Sequence, residues 1–231
     1  DFKNLNSIGK KTSKYKSSPQ LELLGIFNTN INLPLIKETD NYTNLFTPKL
    51  SLRFNPSDMK NASSSKNKVN VNNIFAINRL GLSDTLESGK SLTVGFDFSK
   101  EKKKDLNEIN NYFEFKLATV FRDDEENFIP NQSTLNKKNS NIFGSVKNKF
   151  SDNIDLEYNF SIDNDYSTFE NNDLNLKLSL NNIVTKFNFI EENGETGDTN
   201  VLTNSIIYQL DNKNSFKFNT RRNRKINLTE Y

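Results

Sequence analysis

The chain has 231 residues, 33% of them apolar, and its 8 Gly raise that share only to about 36%, short of the roughly 45–50% of an ordinary soluble domain, so a conventional two-sided core is hard to assemble. With 31 Lys and Arg against 29 Asp and Glu the net charge is +2, which removes the whole-chain attraction behind nucleic-acid binding. Cys and His are both absent, and thiolate or imidazole metal sites, disulfides and triads built on those groups are excluded with them, leaving no cofactor to expect.

Asn is the commonest residue, at about 40, and Phe is frequent at 19; so many Phe with almost no net charge do not fit a disordered chain. Taken in chain order, the first alternation lies within residues 20–54, where Leu50, Leu52 and Phe54 follow Pro48, and an early pair of strands is expected there. Residues 55–90 break the pattern. They carry Ile74, Phe75, Ile77 and Leu80, side chains that a solvated tip of more than about thirty residues would have nothing to bury against. Two strands follow near 90–122. In the first, Leu92, Val94, Phe96 and Phe98 alternate with Ser91, Thr93, Gly95, Asp97 and Ser99; the second has Phe113, Phe115, Leu117 and Phe121. Six or so strands are expected between 141 and 223. The clearest has Ile154, Leu156, Tyr158, Phe160 and Ile162 against Asn153, Asp155, Glu157, Asn159, Ser161 and Asp163, one face fully apolar and the other fully polar.

From residue 123 onward the connections alternate in length. Polar stretches at 123–140, 164–173 and 191–200 lead into strands that end at Ser151, Asp152 and Asn153, at Asn181 and Asn182, and at 211–214, turn sequences rich in residues that tolerate positive φ. No run of about 18 apolar residues exists, so no transmembrane helix is expected; nor is there a signal-peptide pattern at the start. The last residues stop inside an alternation, which suggests a piece of something longer.

Strands of roughly 9–11 residues with one apolar and one hydrophilic face, joined by tight turns at one end and longer loops at the other, are the signature of an outer-membrane barrel. Aromatic residues near strand ends, among them Phe98, Phe121, Phe150, Tyr158, Phe160 and Tyr208, fit that setting. The expected fold is therefore all-β. Residues 1–231 form part of one antiparallel transmembrane β-barrel domain, an arc of about ten strands, with 55–90 a long loop at the barrel mouth or folded into the lumen. The polar face would line water and the apolar face lipid, which explains the composition. A soluble sandwich of the adhesin type, with the apolar face packed on a second sheet, has the same periodicity, and a porin or general transporter barrel has the same walls.

Within the aberrant segment, Ile74, Phe75, Asn78, Arg79, Gly81, Asp84, Glu87 and Gly89 precede the strand Leu92, Thr93, Val94 and Gly95. This resembles the C-terminal barrel domain of the outer-membrane LPS-assembly family, LptD, whose pattern reads L-F-x-x-N-R-x-x-G-x-D-R-x-E-x-G-x-R before a strand; Thr85 and Lys90 stand where that pattern has Arg. The resemblance implies non-enzymatic insertion of lipopolysaccharide (LPS) into the outer leaflet of the cell outer membrane. It also implies a large barrel of about 26 strands, an LptE-type lipoprotein plug, a periplasmic LPS-bridge protein met through a domain outside these residues, and contact with outer-membrane lipids. Asn78, Arg79, Gly81, Asp84, Glu87 and Gly89 are its candidate lumen or loop contacts. For Arg79, Asp84 and Glu87, pairing among themselves to settle the loop and contact with a partner or the glycolipid are both open.

Three charged segments stand out. Lys10, Lys11, Lys14 and Lys16 suit lipid phosphates or a solvated loop, and the mixed run at 100–105 suits a hydrated turn. Arg221, Arg222, Arg224 and Lys225 fall at a long-loop end, where anionic head groups would be met. The carboxylates Asp123, Asp124, Glu125 and Glu126 lack the ligand spacing of a calcium loop.

Overall fold

In a computed structural model of the chain, residues 2–8, 17–103 and 112–231 are described; Lys10, Lys11, Lys14 and Lys16, and part of the run at 100–105, lie outside them. The strands are β1 (Phe2–Ser7), β2 (Gln20–Gly25), β3 (Phe27–Asn32), β4 (Leu35–Glu38), β5 (Tyr42–Asn55), β6 (Gly89–Lys102), β7 (Tyr112–Arg122), β8 (Ile142–Ser151), β9 (Ile154–Ile162), β10 (Phe169–Leu180), β11 (Ile183–Glu192), β12 (Thr199–Gln209), β13 (Ser215–Asn223) and β14 (Leu228–Glu230). Two single 3-10 turns are the only helical residues among those described. β1 and β2 pair with each other. The other twelve strands form one antiparallel sheet in the order β14 through β5 and then β3, with β4 also on β5. β14 is not paired with β3 or β4, so among the described residues the sheet is not closed.

Fourteen strands stand among the described residues where about ten were expected. β3 and β4 are two pieces of one expected strand, because Asn32 opposite Lys49 and Leu35 opposite Phe46 keep a single register along β5. Pro34 and Pro48 fall in the gap, and neither has an N–H to give the ladder; the Leu33 N–H still reaches the Pro48 carbonyl at 3.1 Å. The remaining additions are β1, β2 and the three-residue β14, none of which alternates cleanly. The expected loops at 164–173 and 191–200 are also shorter than their polarity suggested, since β10 begins at Phe169 and β11 runs to Glu192. Polar strand ends pair with each other there: the Tyr158 hydroxyl donates to Asn172 at 2.6 Å, and the Asn200 amide to Glu191 at 2.9 Å. The tight turn between β10 and β11 holds Asn181 at φ 46, a conformation Asn tolerates.

The chain divides into two units, and the division falls inside β5, β6 and β7. The first comprises residues 1–32, 49–95 and 118–141. Its core is made mostly by connections rather than strands: Met59, Val69, Ile74, Leu80 and Leu82 from the segment after β5, and Ile129 and Leu135 from the segment after β7, are buried together with Ala118 and Val120 of β7. Backbone bonds from Ala62 to Phe128 (2.8 Å) and from Asn131 to Ser63 (3.2 Å) join the two segments. The strands beneath are inverted relative to a water-soluble sheet. On β5, Ser51, Arg53 and Asn55 are 1%, 4% and 1% exposed, while Leu52 and Phe54 are 52% and 41% exposed.

The second unit comprises residues 33–48, 96–117 and 142–231. All its strands belong to one sheet, and Phe143 and Val201 are its only buried hydrophobic residues among those described. Phe96, Phe115, Leu156 and Phe160 are half-buried, as are Asp97, Glu157 and Asn159 of the other face. Neighbouring aromatics on the apolar face support one another: Phe96 sits 5.4 Å from Phe46 and 5.6 Å from Phe115, and Tyr158 is 5.4 Å from Phe160. Across from Phe160 stands Gly144, where the Phe160 ring occupies the space a Cβ would need.

Candidate functional site

The chemistry-bearing side chains of the first unit converge on Glu87, the last acidic residue before β6. The Arg79 guanidinium grips its carboxylate with two parallel bonds, Nε to Oε2 at 2.7 Å and Nη2 to Oε1 at 2.5 Å. Its remaining donors go to Thr93 Oγ1 (2.8 Å), Ser91 Oγ (3.0 Å) and the Ile74 carbonyl (3.4 Å). Arg122, from the end of β7, adds Nη1 to Glu87 Oε1 at 2.6 Å and Nη2 to the Ser88 carbonyl at 2.5 Å. Arg53, from β5, lies 3.7 Å from Glu87 Oε2 and donates to the Ala76 and Ile77 carbonyls at 2.6 and 2.7 Å. Asn55 holds the Glu87 carbonyl at 2.9 Å. Polar residues of β5 and β7 thus meet Glu87, and those of β6 meet its partner Arg79.

Arg79 and Glu87 are 2% and 5% exposed. Burial alone pushes the Glu87 carboxyl up, but the charge and hydrogen bonds of Arg79, with the charges of Arg53 and Arg122, outweigh it and bring the pKa down from 4.5 to about 2. The carboxylate is therefore ionised at neutral pH and surrounded by three cations. Arginine suits this position because its planar fork matches both oxygens at once. Among the described residues no group of acids suited to a metal is found. The arrangement is a fastening of loop to strands.

Of the residues singled out in sequence, Arg79 and Glu87 meet directly. Gly89 abuts them. It has φ +82, and a Cβ there would come within 2.9 Å of Arg122 Nη2. Asn78 and Gly81 shape the turn before the cluster: Asn78 bonds both the Leu82 carbonyl (3.0 Å) and its N–H (3.2 Å), and Gly81 has φ +62. Asp84 is half-buried. Thr85 accepts the Lys60 N–H at 3.0 Å, and Lys90 makes an exposed pair with Asp123 at 3.3 Å. Arg53, Asn55, Arg122, Ser91 and Thr93 were not among the expected site residues. Their only signal was polar-face parity at strand ends beside long connections. At the other end of the chain, Arg221 pairs with Glu230 at 3.4 Å, Arg222 donates to Asn227 at 3.1 Å and Arg224 lies 5.9 Å from the Phe189 ring. Lys225 pairs with Asp198.

A comparison with curated proteins finds no match. The family model described as LPS transport system D matches residues 2–222, a span that includes the two long connections, the cluster around Glu87 and all but the last strand. With 221 of 231 residues inside that match, the chain belongs to the LPS transport system D family.

Proposed function

We propose that the chain is a section of the wall of an outer-membrane barrel that delivers LPS to the outer leaflet without making or breaking bonds. The observation that supports this most is the inverted burial of β5, where buried Ser51, Arg53 and Asn55 alternate with exposed Leu52 and Phe54. Left in water, each such apolar side chain forgoes about 1.5–3 kcal/mol of burial; against lipid tails it forgoes nothing. Where residues 55–90 do not cover it, the polar face then meets water and the saccharide of the cargo. In this reading residues 55–90, fastened through Glu87, lie at the mouth or in the lumen and leave a fixed passage beside them. An LptE-type lipoprotein plug, a periplasmic LPS-bridge protein acting through a domain outside these residues, and outer-membrane lipids are its partners.

Depletion of the full protein in its own cells tests this. Newly made LPS should cease to become accessible to an impermeant surface label and should return when the protein is re-expressed. Continued surface labelling during depletion would contradict the reading, and solute-size-dependent swelling of liposomes carrying the protein would favour a porin instead.

A further inference from the structure

The polar face of the second unit carries its side chains in cross-strand rows fixed by register. One row runs Lys147, Glu157, Asn175, Asn188 and Thr203, and the next runs Lys149, Asp155, Lys177, Lys186 and Ser205. The first row is internally satisfied: Lys147 lies 3.4 Å from Glu157, and the Asn188 amide donates to Asn175 at 2.7 Å. In the second, Lys149 reaches Asp152 at 3.4 Å. Lys177 and Lys186 stand directly opposite each other across β10 and β11. Both are exposed, and neither makes an ion pair or side-chain hydrogen bond among the described residues. Like charges placed face to face on a sheet destabilise it, so the pair is a local cost, offset only on the Lys177 side, where Asp155 stands opposite on β9. Both lysines line one concavity of 610 Å³ together with Lys147 and Lys149, the carboxylates Asp155 and Glu157, and the neutral amides and hydroxyls of Asn175, Asn188, Thr203 and Ser205, so that lysines outnumber acids four to two.

We propose that Lys177 and Lys186 form a phosphate clamp on the polar wall, binding a phosphorylated saccharide through its phosphate while the neighbouring amides and hydroxyls meet sugar hydroxyl groups. Two ammonium groups held side by side by backbone register suit a doubly charged, multi-acceptor anion. The phosphate replaces their mutual repulsion with two charge-assisted bonds. A neutral saccharide gains only the hydroxyl contacts, so the clamp discriminates cargo by charge. The proposal rests on the transport reading for the glycolipid as source, and the same chemistry admits free phosphate.

The test uses the full protein with its partners in detergent micelles and three probes: inorganic pyrophosphate, a diphosphorylated glycolipid and its dephosphorylated counterpart. The wild type should retain the phosphorylated glycolipid about tenfold or more tightly than the dephosphorylated one, and the double variant Lys177→Gln/Lys186→Gln should lose that difference. Lys186→Glu should also lose it while melting no earlier than wild type, because Glu faces Lys177; this separates lost binding from lost folding. Lys213→Gln, on a turn, should change nothing. Equal retention of both glycolipids by the wild type, with pyrophosphate unbound, overturns the clamp, as does undiminished binding by the double variant. Pyrophosphate binding that the variant loses, without glycolipid retention, keeps the clamp, makes free phosphate its ligand and counts against the transport reading alone.

Discussion

Glu87 answers three arginines at once. Removing one partner of a buried ion pair costs about 3–5 kcal/mol because the uncompensated charge stays behind. Glu87→Gln should therefore release the loop, which limited proteolysis would read as new cleavage within residues 56–88 while the strands stay protected. Arg79→Lys should give a milder version, since an ammonium cannot span both carboxylate oxygens and also reach Ser91 and Thr93. The pH dependence has a definite sign. Glu87 titrates near 2 in the folded chain against 4.5 ordinarily, so its contribution is whole above about pH 4.5 and is lost as pH falls through 2. The shift corresponds to an order of 3 kcal/mol. Pepsin cleavage of the loop between pH 4 and 2 should rise steeply in wild type and stay flat, and high, in Glu87→Gln; parallel profiles would refute the assignment. The spacing of Arg79, Glu87 and Gly89 was legible as a motif. Arg53 and Arg122 were not, because nothing in their immediate sequence distinguishes a guanidinium aimed at a buried carboxylate from one solvated on a polar face.

Among the strands, period-two alternation was legible wherever both faces were pure, as in β6, β9 and β10. It failed where prolines split β3 from β4, and where strand ends continue beyond the apolar belt into Asn and Glu that bond across strands instead of entering loops. Gly144 offers an element-level test. Its place opposite Phe160 leaves no room for a methyl group, so Gly144→Ala should destabilise the β8–β9 hairpin by about 1–3 kcal/mol, and Phe160→Ala in the same chain should recover part of the loss. Heat-induced mobility shift of the folded protein in detergent gels would measure both. The two faces should also differ in tolerance. Leu176→Arg, on the apolar face of β10, should cost about 2–4 kcal/mol in a bilayer, whereas Asn175→Arg one residue earlier should be nearly neutral. Equal penalties would mean that the faces share one environment.

Composition showed only that a conventional two-sided core is hard to assemble, and it was the alternation and the loop lengths that pointed to a sheet with lipid on one side. What neither told is that, among the described residues, the buried core comes chiefly from the segments at 56–88 and 123–141, whose burial depends on contacts distant in sequence, while the second unit has two buried apolar side chains. These 231 residues contain no Cys, so no native thiol within them competes with an introduced one. Single cysteines at Leu156, Leu176 and Phe187, and in separate chains at Glu157, Asn175 and Asn188, are labelled with an environment-sensitive fluorophore after reconstitution of the full protein into bilayers. If the apolar face meets lipid, the first three should show blue-shifted emission quenched by lipid-borne quenchers and the second three water-like emission quenched only by aqueous ones. The same quencher acting on both sets, or the two patterns exchanged, would contradict a wall with lipid on one side and water on the other.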